Sequence, residues 1–247
     1  MSYSLSLTRF TGKLAVVTGA SYGIGEEIVR TLVKNGINVA GIARSVDKVQ
    51  EIAKQLSNEK GKLHAFKGDL TKQEDILSVF NEIDKKLGPI HVLINNAAVF
   101  PTTDIIDGDI EKWKSVLDTN VLAVAICIRE AVKSMKNSNV KGQIININST
   151  FGHRIYDVKG FQLYGASKFA LTALTETVRL EINREKLPIQ ITSLSPGLVK
   201  TEGIKQTFGE EVVALLPRDI AEAVLYVLST PEHVNVKELT IVSKGEN

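Results

Sequence analysis

Seven short runs rich in Val, Ile and Leu alternate with longer segments of helical period: KLAVVTG, INVAGIAR, KLHAFKGDL, HVLINNAA, GQIININST, IQITSLSPG and KELTIVS. A strand that is apolar on both faces must be covered on both, so this alternation selects a parallel sheet buried between helices. In the segment GEEIVRTLVKNG, Ile28, Leu32 and Val33 share one helical face and Gly36 supplies a stop. DKVQEIAKQLSNEKG, QEDILSVFNEIDKKLG, DIEKWKSVLDTNVLAVAICIREAVKSMK, FQLYGASKFALTALTETVRLEINREK and PRDIAEAVLYVLST read as the other helices, each as one piece. No repeat, low-complexity tract or linker interrupts the pattern, so residues 1–247 are expected to form one doubly wound α/β domain. Ligands of open sheets of this kind bind outside the carboxyl ends of the strands.

Lys and Arg number 30 against 28 Asp and Glu, a balance of +2 that carries no basic stripe for nucleic acid or anionic membrane. The single cysteine, Cys127, lies in the apolar run VLAVAICI and reads as a small core residue; alone it forms no internal disulfide. The first residues, MSYSLSLTRFTGK, lack a secretory pattern, and no apolar run reaches the roughly 20 residues that span a bilayer, so a cytoplasmic protein is expected.

The first strand runs into TGASYGIG, which places Gly19, Ser21, Tyr22, Gly23, Ile24 and Gly25 at a strand-to-helix junction. Glycines there permit a tight turn and close backbone approach, and a helix N-terminus presents free amides to a pyrophosphate. The second strand ends in Ala43, Arg44 and Ser45, without a carboxylate to bind a ribose hydroxyl. An arginine beside a serine suits a 2′-phosphate instead, which favours NADP; a solvated strand-end arginine is the plainer reading.

Tyr164 and Lys168, in YGASK, lie one helical turn apart on one face. A free phenol titrates near 10, so holding it as phenolate at pH 7 costs roughly 4 kcal/mol, which a nearby ammonium would reduce. In isolation the pair reads as a solvated helix face. Set beside the glycine turn, Asn120 and Ser149, it reads as the proton-transfer group of a hydride-transfer site.

These motifs resemble those of the short-chain dehydrogenase/reductase family, from about Gly12 to Ser243, with TGASYGIG standing where members carry TGxxxGIG. The resemblance implies a Rossmann-type fold and a catalytic set of Asn120, Ser149, Tyr164 and Lys168. In it Ser149, followed by Gly152, orients the substrate oxygen, and Asn120 links Lys168 through water to solvent. Thr150 is the alternative donor, and an asparagine inside a helical run also reads as a kink or a buried hydrogen-bonding group. The resemblance further assigns to the cofactor Asp69 and Leu70 of GDL, Asn96 of NNAA (where Ala98 replaces the commoner glycine), and Pro196, Gly197, Val199 and Thr201 of SPGLVKT. Asp69 taken alone reads equally as a helix cap.

The interval from Ser149 to Tyr164 is about two residues longer than the family pattern, which enlarges the loop of residues 153–161. A lid is expected over residues 202–216, hinged at Gly203 and Gly209. Phe100, Pro101, Ile155, Tyr156, Phe161 and Phe208 are expected to line an apolar pocket. The words NVLAVAICIREAVKSMK and ALTALTETVR resemble a branch of the family that oxidises isoprenoid alcohols, farnesol-like, or reduces steroid and other carbonyls. Family members commonly assemble as homodimers or homotetramers. The function of another class to weigh against catalysis is an NADP(H)-binding sensor or scaffold.

Overall fold

All seven apolar runs form strands. The computed structural model describes residues 5–202, 204 and 213–245. In chain order the elements are β1 (Leu14–Thr18), α1 (Gly23–Lys34), β2 (Asn38–Ala43), α2 (Val46–Gln55), β3 (Leu63–Lys67), α3 (Gln73–Leu87) and β4 (Ile90–Asn95). They continue with α4 (Ile110–Leu117), α5 (Ala123–Asn137), β5 (Gly142–Ile147), α6 (Gln162–Arg184), β6 (Ile189–Pro196), α7 (Pro217–Ser229) and β7 (Glu238–Ile241). The sheet has the order β3-β2-β1-β4-β5-β6-β7, and every neighbouring pair is parallel.

Successive side chains of a strand point to opposite faces, and the core divides accordingly. Ala15, Val17, Val39 and Ile145 pack with Ile28 and Leu32 of α1 and Ile220 and Val224 of α7. Leu14, Val16, Ala40 and Ile144 pack on the other face with Ile76 and Phe80 of α3, Cys127 and Ala131 of α5, and Leu171 of α6. Both faces of the central strands are thus covered, which is why they read as continuous apolar runs.

Two consequences locate the site. The strand order reverses at β1, flanked by β2 and β4, so the carboxyl ends of β1 and β4 open a crevice. The segment expected to be one helix over residues 109–136 is two: α4 and α5 are joined by a π-helical turn, Asp118–Leu122. Apolar residues continue across the break, so the periodicity conceals it. The turn puts Asn120, 1 % exposed, beneath the crevice.

Among the described residues no helix is long and apolar enough to cross a membrane. Nor is any group of three or more His, Cys, Asp or Glu among them placed to hold a metal.

Candidate active site

The glycine turn after β1 is held from two sides. Gly19 N donates to Ile42 O at 2.9 Å, and Asn96 Nδ2 donates to Thr18 O and Gly19 O at 3.0 and 3.2 Å. Gly19 and Gly23 have φ of 67° and 57°, the left-handed region open to glycine. A Cβ on Gly25 would lie 2.1 Å from Gly19 O, so this position is a close approach of helix to strand. α1 starts here without a side-chain cap, leaving its first-turn amides to a ligand.

β2 ends at Ala43, and α2 begins behind Ser45, again without a side-chain cap. Arg44 is exposed beside this second helix N-terminus. Its charge reaches Asp69. Burial works against the Asp69 carboxylate, but hydrogen bonds from Thr71 and the charges of Arg44 and Lys72 outweigh it and hold the group below its usual range. Asp69 does not cap α3, whose N-cap is Lys72; its Oδ1 accepts from the Thr71 amide and hydroxyl at 3.0 and 2.8 Å, a local turn.

A cleft of about 890 Å³ joins these features. Its lining takes in Gly19, Ser21, Tyr22, Gly23, Ile24, Gly25, Arg44, Ser45, Asp69, Leu70 and Asn96 at one end, then Ser149, Tyr164 and Lys168, with Pro196, Gly197, Val199 and Thr201 closing one side. Every residue assigned from the sequence to catalysis or to the cofactor therefore lies on one surface, except Asn120. That side chain sits behind the wall: its Oδ1 accepts from Val99 N at 2.9 Å, and its Nδ2 donates to Val99 O at 2.9 Å and Ser167 Oγ at 3.1 Å. Ser167 in turn donates to Tyr164 O at 2.7 Å. Asn120 is thus a strut between the segment that follows β4 and the helix that bears Tyr164.

The Tyr164 phenol faces the Ser149 hydroxyl, whose Oγ accepts from Phe151 N at 3.2 Å. Lys168, 2 % exposed, donates from Nζ to Ile147 O at 2.9 Å and stands 5.6 Å from the Tyr164 ring centroid. Burial pushes the Tyr164 phenol up to about 12, opposed in part by Ser149, and pulls the Lys168 ammonium down to about 7. The lowering expected from Lys168 does not overcome burial. With the protein groups alone, desolvation dominates both side chains, and Tyr164 is held as a proton donor at neutral pH.

Around the phenol stand Phe100, Phe151 and Phe161, with ring centroids at 5.9, 5.5 and 6.0 Å from that of Tyr164; Tyr156 lies 4.7 Å from Phe151. Phe100, Tyr156 and Phe161 line the cleft as expected. Pro101 and Ile155 do not, and Ile155 is 71 % exposed. Gly203, Phe208 and Gly209 lie outside the described residues.

Sequence reasoning missed Phe151, two residues past Ser149, and the pair Ser115 and Thr119, four residues apart across the end of α4. Their signals were an aromatic inside the serine turn and a small-polar repeat at helical spacing.

The lining fits a nicotinamide dinucleotide. It offers two uncapped helix N-termini, a turn where a Cβ at Gly25 would collide, and, on Thr119 Oγ1 and Asn148 Oδ1, buried polar atoms without a hydrogen-bond partner among the described residues.

Residues 13–212 match the family model for short chain dehydrogenases. The chain belongs to the short-chain dehydrogenase family. It is 46 % identical over 243 residues to a farnesol dehydrogenase of Aedes aegypti, covering 97 % of this chain and 99 % of the relative. It is 42 % identical over 247 residues to dehydrogenase/reductase SDR family member 11 of Gallus gallus, covering 94 % and 96 %. An alcohol dehydrogenase of Thermococcus sibiricus, solved with 5-hydroxy-NADP, superposes with a TM-score of 0.83 at 28 % identity over 95 % of this chain and 98 % of that one. As a short-chain dehydrogenase, this chain is an NAD(P)-dependent oxidoreductase that transfers hydride.

Proposed function

We propose that this short-chain dehydrogenase uses NADP(H) to interconvert a lipophilic alcohol and its carbonyl, either a farnesol-like isoprenoid alcohol or a steroid or other ketone. The observation that carries the reading is the Tyr164–Ser149 pair set among Phe100, Phe151 and Phe161. A proton donor and an oxygen-orienting hydroxyl inside an aromatic enclosure suit a small polar head on an apolar body. The Aedes relative's name points the same way.

When bound, the cofactor supplies or accepts the hydride. The glycine turn and the first turn of α1 would hold its pyrophosphate, and Arg44 and Ser45 its 2′-phosphate; Asp69, Leu70, Asn96 and the Pro196–Thr201 turn complete the lining. In reduction Tyr164 Oη gives a proton to the carbonyl oxygen, while Ser149 Oγ hydrogen-bonds the same atom and holds it in place. In oxidation the Tyr164 phenolate takes the proton from the hydroxyl. Lys168 supplies positive charge beside the phenol, and Asn120 braces α6 through Ser167. Exposed Leu117, Leu122, Phe169 and Leu180, on α4, the π-turn and α6, support a homodimer or homotetramer.

The test is to follow NADPH and NADH absorbance with isoprenoid, steroid and diketone substrates. Turnover of the lipophilic members with NADPH supports the reading; binding of NADPH with no turnover anywhere favours a sensor or scaffold. Arg44→Ala is expected to raise the KM for NADPH about 10- to 100-fold, the worth of a charge-assisted contact to phosphate, and to leave NADH nearly unchanged. Equal losses with both cofactors would remove the 2′-phosphate assignment.

A further inference from the structure

We propose that His153 is a positioning residue that sets the substrate wall, by pinning the turn between Ser149 and Tyr156 to the last two strands of the sheet. The inference rests on the reading of the Ser149–Tyr164 arm of the cleft as the substrate site.

After β5 the chain makes a 3-10 turn, Thr150–Gly152, and each residue from 151 to 154 has a different task. Phe151 turns into the cleft against Tyr164 and Tyr156. Gly152 lies against α6 so closely that a Cβ would stand 2.8 Å from Lys168 O and 2.9 Å from Asn148 Nδ2, and its own carbonyl accepts from Thr172 Oγ1 at 3.0 Å. His153 points the other way: Nε2 is 2.8 Å from Ser195 Oγ on β6 and 3.0 Å from Glu238 Oε1 on β7. Nε2 is hydrogen-bonded to Ser195 Oγ, and the Glu238 carboxylate, which only accepts, stands beside the same nitrogen. The Arg154 guanidinium lies 5.1 Å over the Tyr156 ring.

One wall of the cleft is therefore fixed at both ends. Thr172 holds it to the helix of Tyr164 and Lys168, and His153 holds it to the sheet edge. With the second tie removed, Phe151 and Tyr156 lose their fixed separation, while the glycine turn, Arg44 and Lys168 keep their contacts. The consequence falls on the binding of a long apolar substrate, ahead of cofactor binding or proton transfer.

The full-length enzyme would be assayed with NADPH and two carbonyls, farnesal and butane-2,3-dione, in wild type, His153→Ala and His153→Gln. His153→Ala should raise the KM for farnesal about tenfold, the worth of one to two hydrogen bonds, with kcat within about twofold, the dione less affected and the NADPH Kd unchanged. His153→Gln, whose amide can donate to both Ser195 and Glu238, should recover most of the loss. If His153→Ala does not fold, Glu238→Ala at the partly exposed edge strand takes its place, with a smaller rise in the same KM expected. An unchanged KM in the variant that folds, an equal fall for both carbonyls carried in kcat, or a glutamine variant no better than alanine would overturn the inference alone. Wild type that turns over neither carbonyl would overturn the proposed function, and this inference with it.

Discussion

Tyr164→Phe is expected to lower kcat/KM for carbonyl reduction by about 10²- to 10⁴-fold, the range contributed by a positioned general acid. The substitution removes one oxygen and keeps the ring, so the contacts to Phe100, Phe151 and Phe161 survive and the cleft keeps its shape. NADPH affinity should therefore change by no more than a few fold. The direction of the pH dependence follows from the environment of the phenol. Burial raises its pKa to about 12, so at neutral pH Tyr164 is protonated and ready to donate. Reduction uses that form. Alcohol oxidation uses the phenolate, whose population grows as pH rises towards the pKa, so the oxidation rate should climb through the alkaline range in wild type and lose that climb in Tyr164→Phe. Steady-state rates in both directions from pH 6 to 10, read by NADPH absorbance, check both parts; a variant within a few fold of wild type would remove Tyr164 from the chemistry.

What the sequence could disclose followed from which contacts are local. The strands were legible because burial on both faces writes itself as uninterrupted Val, Ile and Leu. The glycine turn was legible because Gly19, Gly23 and Gly25 answer to backbone conformation and close approach at a recognisable junction. The break at Asp118–Leu122 was not, because it changes the hydrogen-bond pattern without changing the apolar period; Asn120 was its one visible trace. Spacing put Tyr164 and Lys168 on one helix face, but only the fold shows that face turned inward with Lys168 against the carbonyl of Ile147. For that reason the direction of both pKa shifts lay beyond a reading of YGASK. Asp69 shows the opposite limit. Its position at a strand end was right for the cleft, while the hydrogen bonds that occupy one of its oxygens come from Thr71, a neighbour whose part the motif does not state.

Lys168→Met should abolish most activity and yet stabilise the cofactor-free protein at pH 7, by about 1–3 kcal/mol. The ammonium is 2 % exposed, its hydrogen bond runs to the backbone oxygen of Ile147, and among the described residues no carboxylate pairs with it. Burial lowers its pKa from 10.5 in the unfolded chain to about 7 in the fold. Between those values the unfolded chain binds more protons at this site than the folded one, so stability rises with pH from about 7 to 10.5, and below about 7 the full cost of desolvation is present. Methionine has nearly the same reach without charge and removes that cost, offset in part by leaving Ile147 O without its donor. Tyr164 acts in the opposite sense above pH 10, where the unfolded phenol ionises and the folded one, raised to about 12, does not. The informative window is therefore pH 7 to 10. Urea unfolding of both proteins should show a gap favouring the variant at pH 7 that narrows steadily towards pH 10. Parallel curves across that window, or a variant less stable at pH 7, would mean that Lys168 is not carried into the fold at a cost. A narrowing gap would mean that this lysine is kept for what its charge does beside Tyr164, at the expense of the fold that holds it.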